Sequence, residues 1–475
     1  METQLVVLGG GPGGYAAAFL AADMGMQVTI VEQEPRLGGT CLLRGCIPSK
    51  ALLHVARVVA ETREMDEWGI KYPAPSIDVG ALRTRKEKII SQLSGGLKQL
   101  AKQRKVTVIQ ARATFENSTT LKLEGGDGAT YSDPKLTFEH CVLASGSIPA
   151  MPSAFKLPTD RVMDSTGALE LADVPQSLLV VGGGYIGLEL GTVYAELGSK
   201  VSVVELTPAL LPLADRDLVK PLHNRLKKIL AGIYLETKVA GLADRGDAIE
   251  VTFEDANGRR NETFSRVLVS IGRRPNSAGL GLENTAVELD EKGFVITDEC
   301  QRTADPHILA IGDVAGEPML AHKASHQGKV AIEALLGEPA VFQPQAIPAV
   351  VFTDPEIAWA GLTEEQAKAE GVSVEVARYP WAASGKAMAL GRTEGFTKLL
   401  IDPASERILG VGIVGVGAGD LVSEAVLAIE MGATARDMAE SIHPHPTLSE
   451  TLAFAAESFL GTATEIYRPR SARHA

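Results

Sequence analysis

The chain has 475 residues, 45% of them hydrophobic and 22% charged, with a net charge of −13. That length fits about three domains of ordinary globular composition, and the acidic balance, with no basic stripe, argues against nucleic acid as a partner. Four cysteines are too few for a secreted disulfide scaffold, so a reducing, cytoplasmic setting is expected, a mature organellar matrix form being compatible with it, and no uninterrupted apolar run suggests a membrane span.

The first predicted element is the strand Gln4–Leu8, which leaves no room for a signal peptide before it. It enters Gly9, Gly11 and Gly14 in the spacing G-x-G-x-x-G. An alanine-rich helix follows, stopped by Gly25, and then a strand, Val28–Glu32. In such a unit the first glycine makes a tight turn and the second lets the backbone approach a pyrophosphate. The third lets helix pack on strand, and the terminal acid accepts from a ribose hydroxyl.

Next comes Gly38–Lys50, with Cys41 and Cys46 inside a glycine- and proline-bent segment. A disulfide needs Cα atoms about 4.4–6.8 Å apart, and five steps of regular helix rise about 7.5 Å. A bend at Gly45 and Pro48 would bring the two cysteines together. The reading is a redox thiol pair, with two merely neighbouring core cysteines as the alternative. Residues from Ser49 to Ala56 read as a helix, with Cys46 just before its N-terminus, where the dipole favours a thiolate. A helical insert is expected around Val79–Arg104, and the Pro149–Pro158 stretch reads as a linker.

The pattern then repeats. Leu178–Val181 leads into Gly182, Gly184 and Gly187, a helix stopped at Gly198, and a strand Val201–Glu205. In both units the acid stands 23 residues after the first glycine. One such fingerprint is a weak signal. Two in the same register suggest two dinucleotides, most simply a flavin and a nicotinamide nucleotide. Glu205 would repel a 2′-phosphate, and Leu206-Thr207-Pro208 offers no arginine for one, so NAD is preferred over NADP. Gly272–Asn276 reads as a crossover, Ile308–Asp313 as a short buried strand ending in an acid, and Ile408–Gly417 as another buried strand. Cys141, placed at the start of a strand, and Cys300 read as inert.

These segments, with Ala144–Pro149, Gly312-Asp313, Pro318–Ala324 and His443–Glu450, resemble the pyridine nucleotide–disulfide oxidoreductases over essentially the whole length. The Met319–Ala324 run is similar to the lipoamide branch rather than to glutathione reductases. The resemblance implies an α/β protein with two Rossmann-like dinucleotide-binding domains and a C-terminal α+β dimerisation domain. Its boundaries would be 1–148 and 272–345 for the FAD domain, 149–271 for the NAD domain and 346–475 for the dimerisation domain. The implied activity is oxidation of protein-bound dihydrolipoamide to lipoamide with reduction of NAD, the alternative being another NAD(P)H-dependent disulfide reductase. The implied partners are a lipoyl-bearing acyltransferase or a glycine-cleavage carrier protein, and a second copy in a homodimer.

It further implies residue roles. Cys46 would contact the flavin and Cys41 would exchange with the substrate. Lys50 would sit near the flavin, paired with Glu189. His445, held by Glu450, would be the base and would serve the other subunit. FAD would be held by Gly9, Gly11, Gly14, Glu32, Gly39, Thr40, Lys50, Ala113, Ser145, Gly146, Asp313, Met319, Leu320, Ala321 and His322. NAD would be held by Gly182, Gly184, Gly187, Glu189, Glu205, Val239 and Gly272. Glu450, three residues after Thr447, also reads as half of a capping box for a helix starting after Pro446. His443 and His445 would share a face of an extended segment, and Lys50 has a plain reading as a solvated helix lysine. The chain departs from the family pattern at Leu43, Arg44 and Pro444, and in Ser325-His326-Gln327. Arg44 is expected to add positive charge beside the cysteines and stabilise a thiolate.

Overall fold

Continuous runs of valine, isoleucine and leucine, rather than alternating ones, mark strands buried on both faces of a parallel sheet. The computed structural model, which describes residues 1–125 and 134–467, shows two such sheets. In the first, Glu2–Leu8 lies between Val28–Glu32 and Lys135–Leu143, all parallel. Val28–Glu32 pairs in turn with Thr107–Asn117. The chain returns much later, when Ile308–Ala310 joins the edge of Lys135–Leu143 in parallel. The return brings Gly312 and Asp313 to the same sheet end as the first fingerprint.

The first sheet also holds an antiparallel strand, Thr120–Gly125, between Thr107–Asn117 and Lys135–Leu143; the second is wholly parallel, in the order Gly232–Tyr234, Lys200–Val204, Ser177–Val181, Arg266–Val269, Val162–Met163. An antiparallel meander, Lys238–Asp244, Ile249–Asp255 and Gly258–Phe264, packs beside it. Two short antiparallel strands, Ser147–Pro149 and Arg273–Pro275, carry the chain between the two sheets. The third large sheet, built from residues 349 to 415, is entirely antiparallel and carries the helices Ala418–Glu430 and Glu450–Leu460. This is the expected mixture of two α/β layers and one α+β layer.

One apolar core joins the layers. Leu52, Leu53 and Ala56 of the helix Cys46–Glu64 pack with Leu188 and Leu190 of the helix Tyr185–Glu196, and with Val351, Ile357 and Val414 of the antiparallel sheet. The helix that begins at Cys46 is thus clamped between all three units. A polar lock sits nearby. Lys398, with a fully buried side chain, donates to Asp215, Asp217 and Glu364 at 2.7, 2.8 and 2.6 Å. Its ammonium stands among these three carboxylates and ties the helix Arg216–Ile229 to the antiparallel sheet.

The expected insert is one helix, Val79–Gln103. Several other local expectations are corrected. The bend between the cysteines lies at Gly45 alone, where the short helix Gly39–Arg44 ends. Pro48 sits in the first turn of the next helix, where its missing N–H costs nothing. Cys46 is the first residue of that helix rather than its predecessor. Cys141 lies near the end of its strand, fully buried, and burial pushes its thiol up. The last helix begins at Glu450, not after Pro446, so only the carboxylate half of the capping box forms. Among the described residues no helix is long and apolar enough to cross a membrane. The Arg468–Ala475 tail lies outside the described residues.

Candidate active site

The two fingerprints fold alike. Gly9 and Gly182 have φ of +114° and +109°, which only glycine adopts freely. A Cβ on Gly14 would lie 1.9 Å from the Gly9 carbonyl oxygen, and one on Gly187 would lie 2.4 Å from that of Gly182. These third glycines let helix press on strand. The middle glycines differ: a Cβ on Gly11 meets only the Gly39 Cα, at 3.7 Å, and one on Gly184 meets nothing. Their open side is where a phosphate can approach the helix N-terminus.

The two acids repeat as closely. Glu32 accepts from the Gly10 N–H at 2.7 Å and the Glu34 N–H at 2.9 Å. Glu205 accepts from the Gly183 N–H at 2.6 Å and the Thr207 N–H at 2.8 Å. Burial pushes the Glu32 carboxyl up, against the pull of its two backbone donors.

A cavity of about 750 Å³ opens at the first fingerprint. Gly9, Gly11, Gly14, Glu32, Gly39, Thr40, Lys50, Ala113, Ser145, Gly146, Asp313, Met319 and Ala321 all line it, as do Cys41, Cys46 and Glu189. Two residues expected there do not. Leu320 instead caps the helix Ala321–Leu335, its carbonyl accepting from the Ala324 N–H. The His322 ring turns away to the Pro348 carbonyl, 2.9 Å from Nε2. The cavity has room for a dinucleotide, whose pyrophosphate would approach the open side of Gly11. Gly182, Gly184, Gly187, Glu205, Val239 and Gly272 stand outside it, on the second sheet and its connections, while Glu189 reaches in from the helix that starts at Tyr185.

Cys41 and Cys46 face this cavity as free thiols, the reduced form of the expected pair. They are hydrogen-bonded to each other. That bond and the Lys50 charge, acting against burial, lower the Cys46 thiol. The same bond and burial push the Cys41 thiol up. Cys46, the first residue of its helix, is the better placed of the two to carry a thiolate.

Lys50, one turn on, is 2.8 Å from Glu189 Oε2, so it is not a solvated helix lysine. Glu189 is almost wholly buried and spends its other oxygen on the Phe352 N–H, at 3.0 Å. Arg44 does not serve the thiols. It forms an ion pair with Glu34, and its charge acts on Glu32 instead. The two histidines do not share a face. His443 is buried against Glu424, 2.7 Å from Nε2, whereas His445 is 78% exposed, with Nδ1 2.8 Å from Glu450 Oε1. His445 does not line the cavity that holds the thiols.

Four cavity or site residues were not singled out from the sequence. Arg273 donates to the Ser147 hydroxyl at 2.7 Å, and Ser147 donates to Asp313 at 2.5 Å. Tyr185, which directly follows the second glycine of its fingerprint, lines the cavity, and burial raises its phenol to about 12. All three segments carrying these residues were visible as motifs. Phe352 had no sequence signal, because it follows a short strand and acts through its backbone.

Comparison with known proteins accords with this arrangement. The family described as pyridine nucleotide-disulphide oxidoreductase matches residues 3–328, and its dimerisation domain matches residues 347–456. The chain is 47% identical to the dihydrolipoyl dehydrogenase of Vibrio cholerae, over 98% of this chain and 97% of that protein. It is 43% identical to the enzyme of the same name from Geobacillus stearothermophilus, over 98% of both. Among solved structures, LpdA from Mycobacterium tuberculosis superposes with a TM-score of 0.89 at 27% identity, covering 96% of this chain and 99% of that one. The HOCl-induced flavoprotein disulfide reductase RclA from Escherichia coli gives 0.83 at 27% identity, over 94% and 98%.

Proposed function

This chain belongs to the pyridine nucleotide–disulphide oxidoreductases, and we infer from that membership and from its site that it oxidises a dihydrolipoyl dithiol to the disulfide while reducing NAD. Its cofactors are FAD and NAD. The observation that carries the reading is the Cys41–Cys46 thiol pair, with a low-lying Cys46, in the wall of a cavity floored by a dinucleotide fingerprint.

The chain's own residues account for the thiol chemistry. A thiolate, not a thiol, attacks a disulfide, so a base must take a proton from the substrate. His445 does this at Nε2 while Glu450 holds Nδ1 and stabilises the charged ring. The substrate thiolate attacks Sγ of Cys41 in the oxidised pair, and Cys46 leaves as a thiolate beside Lys50. The second substrate thiol then closes on the first, releasing Cys41 as a thiol. FAD supplies the two-electron relay between the Cys41–Cys46 pair and NAD when it is bound over Gly11, Glu32 and Asp313.

His445 lies outside the thiol cavity of its own chain and on the part matched to a dimerisation domain, which supports a homodimer in which each copy supplies the other's base. We assign the FAD domain to 1–148 and 272–345, the NAD domain to 149–271 and the dimerisation domain to 346–475. The partner is a lipoyl-bearing acyltransferase or a glycine-cleavage carrier protein, presenting its dithiol to this dimer in the cytoplasm. The test is NAD reduction by dihydrolipoamide with NADP run in parallel. Rapid NADH formation with little NADPH is expected, and no turnover by FAD-loaded protein would sink the reading.

A further inference from the structure

Glu189 is the point at which three parts of the molecule meet. Its Oε2 takes the ammonium of Lys50 from the cysteine helix at 2.8 Å, and its Oε1 takes the N–H of Phe352 from the antiparallel sheet at 3.0 Å. The Phe352 ring lies under the same ammonium, with Lys50 Nζ 4.4 Å from its centroid. Phe352 therefore holds both members of the ion pair, one by its backbone and one by its ring.

Lys50 has two directions open to it. On one side is the cavity it shares with Cys46, one helical turn away. On the other is a second, smaller pocket of about 220 Å³ with two further carboxylates, Asp354, which already pairs with Arg225 and Arg392, and Glu356, which accepts from the Gly419 N–H and has one oxygen 3.9 Å from Arg57. Lysine is a flexible point charge that moves readily between such partners. A ring under the ammonium and an anchored carboxylate beside it restrict that freedom.

We propose that Phe352 is a positioning residue for the reaction: it fixes the Lys50–Glu189 pair so that the ammonium stays beside Cys46 instead of swinging to the acids of the smaller pocket. The proposal rests on the assignment of Cys46 as the thiolate of the pair. The charged and titratable groups that act on Cys46 are Cys41 from the preceding short helix, Lys50 from its own helix, and Glu189 from the helix that starts at Tyr185. The phenols of Tyr185 and of Tyr15, on the first fingerprint helix, stand close enough to feel its charge. Of these only Lys50 is a cation, so a loosened Lys50 raises the Cys46 thiol.

The experiment compares Phe352→Leu with Phe352→Tyr in the two-electron-reduced, FAD-loaded enzyme. Leucine keeps the backbone donor and removes the ring; tyrosine restores the ring. The readout is the pH midpoint of the Cys46 thiolate, from mass-resolved alkylation at Cys46 and ultraviolet thiolate absorbance. Phe352→Leu is expected to move the midpoint up by roughly half to one unit, and Phe352→Tyr to return it to the wild-type value. A wild-type midpoint in Phe352→Leu overturns the proposal, as does a shift that tyrosine fails to reverse. If Phe352→Leu does not retain FAD, Phe352→Met makes the same comparison. A wild-type enzyme with no Cys46 thiolate near neutral pH would instead overturn the Cys46 assignment, and the proposal with it.

Discussion

Nδ1 of His445 stands 2.8 Å from Oε1 of Glu450, and the other oxygen of that carboxylate accepts the Thr447 N–H at 2.7 Å. The acid is held by the chain, and it holds the ring. The imidazole is largely exposed and does not line the cavity that holds the thiols of its own chain. Under the mechanism proposed above, it serves the second copy of a dimer.

His445→Gln should keep FAD and the fold, since the ring is largely exposed. Dihydrolipoamide oxidation should fall about 10²- to 10⁴-fold, the usual worth of a positioned base. Reduction of an artificial electron acceptor by NADH should change little, because that route needs no substrate dithiol. Equal loss of both activities would show that His445 is structural.

Subunit sharing can be read from hybrids. Cys41→Ser removes the exchange thiol and His445→Gln removes the base, so each homodimer is silent. Dissociated and reassembled together, they should recover on the order of a quarter of wild-type activity: half the dimers are mixed, and each mixed dimer has one complete site. No recovery after verified subunit exchange would place thiol and base in the same chain.

Glu205→Gln removes the charge that a ribose hydroxyl would meet. A hydrogen bond to a charged group is worth about 1.5–3 kcal/mol, so the KM for NAD should rise roughly ten- to hundredfold with kcat nearly constant, as expected for uniform binding. Discrimination against NADP should narrow. Steady-state kinetics with both nucleotides checks this; a wild-type enzyme already efficient with NADP would refute the role of Glu205.

Lys398→Met leaves Asp215, Asp217 and Glu364 facing one another without their ammonium. Breaking a buried pair in this way costs about 3–5 kcal/mol. In the wild type burial pushes the Glu364 carboxyl up, but hydrogen bonds and charge from Lys398 and Arg378 outweigh that and hold it below its ordinary value. Its contribution is therefore present above the ordinary carboxylate range and lost as pH falls through the lower folded value. The gap in stability between wild type and variant should be widest near pH 7 and shrink as pH drops below about 4. Thermal unfolding across that range is the measurement, and a pH-independent gap would argue against an electrostatic lock.

Two glycines of one motif should fail differently. Gly14→Ala drives a methyl into the Gly9 carbonyl and should sharply lower the yield of folded protein. Gly11→Ala meets only ordinary contact, so the protein should fold, but the methyl occupies the approach of the phosphates and FAD content should fall. Flavin absorbance per folded chain separates the two cases.

Both dinucleotide units were legible because glycines, helix and acid recur at one spacing, and each position has its own steric reason. The Lys50–Glu189 contact followed from family resemblance rather than spacing, since 139 residues separate the two. Arg44 was misjudged because proximity in sequence to Cys41 says nothing about direction: the short helix turns it to Glu34. His443 was taken with His445 for a similar reason, period-two alternation holding only while the chain stays extended. The lock at Lys398 was invisible, as its acids come from two segments far from it in sequence, Asp215 and Asp217 from one and Glu364 from the other, and a lone lysine in a strand carries no pattern.

The carboxylates of Glu32 and Glu205 are each already gripped by two backbone N–H groups. A side chain so tethered cannot swing aside to admit a bulkier ligand, and each tether includes an N–H of the glycine turn itself. Under the nucleotide role proposed for Glu205, selectivity is set when strand and turn close, because moving the acid means giving up the two N–H bonds that fix it.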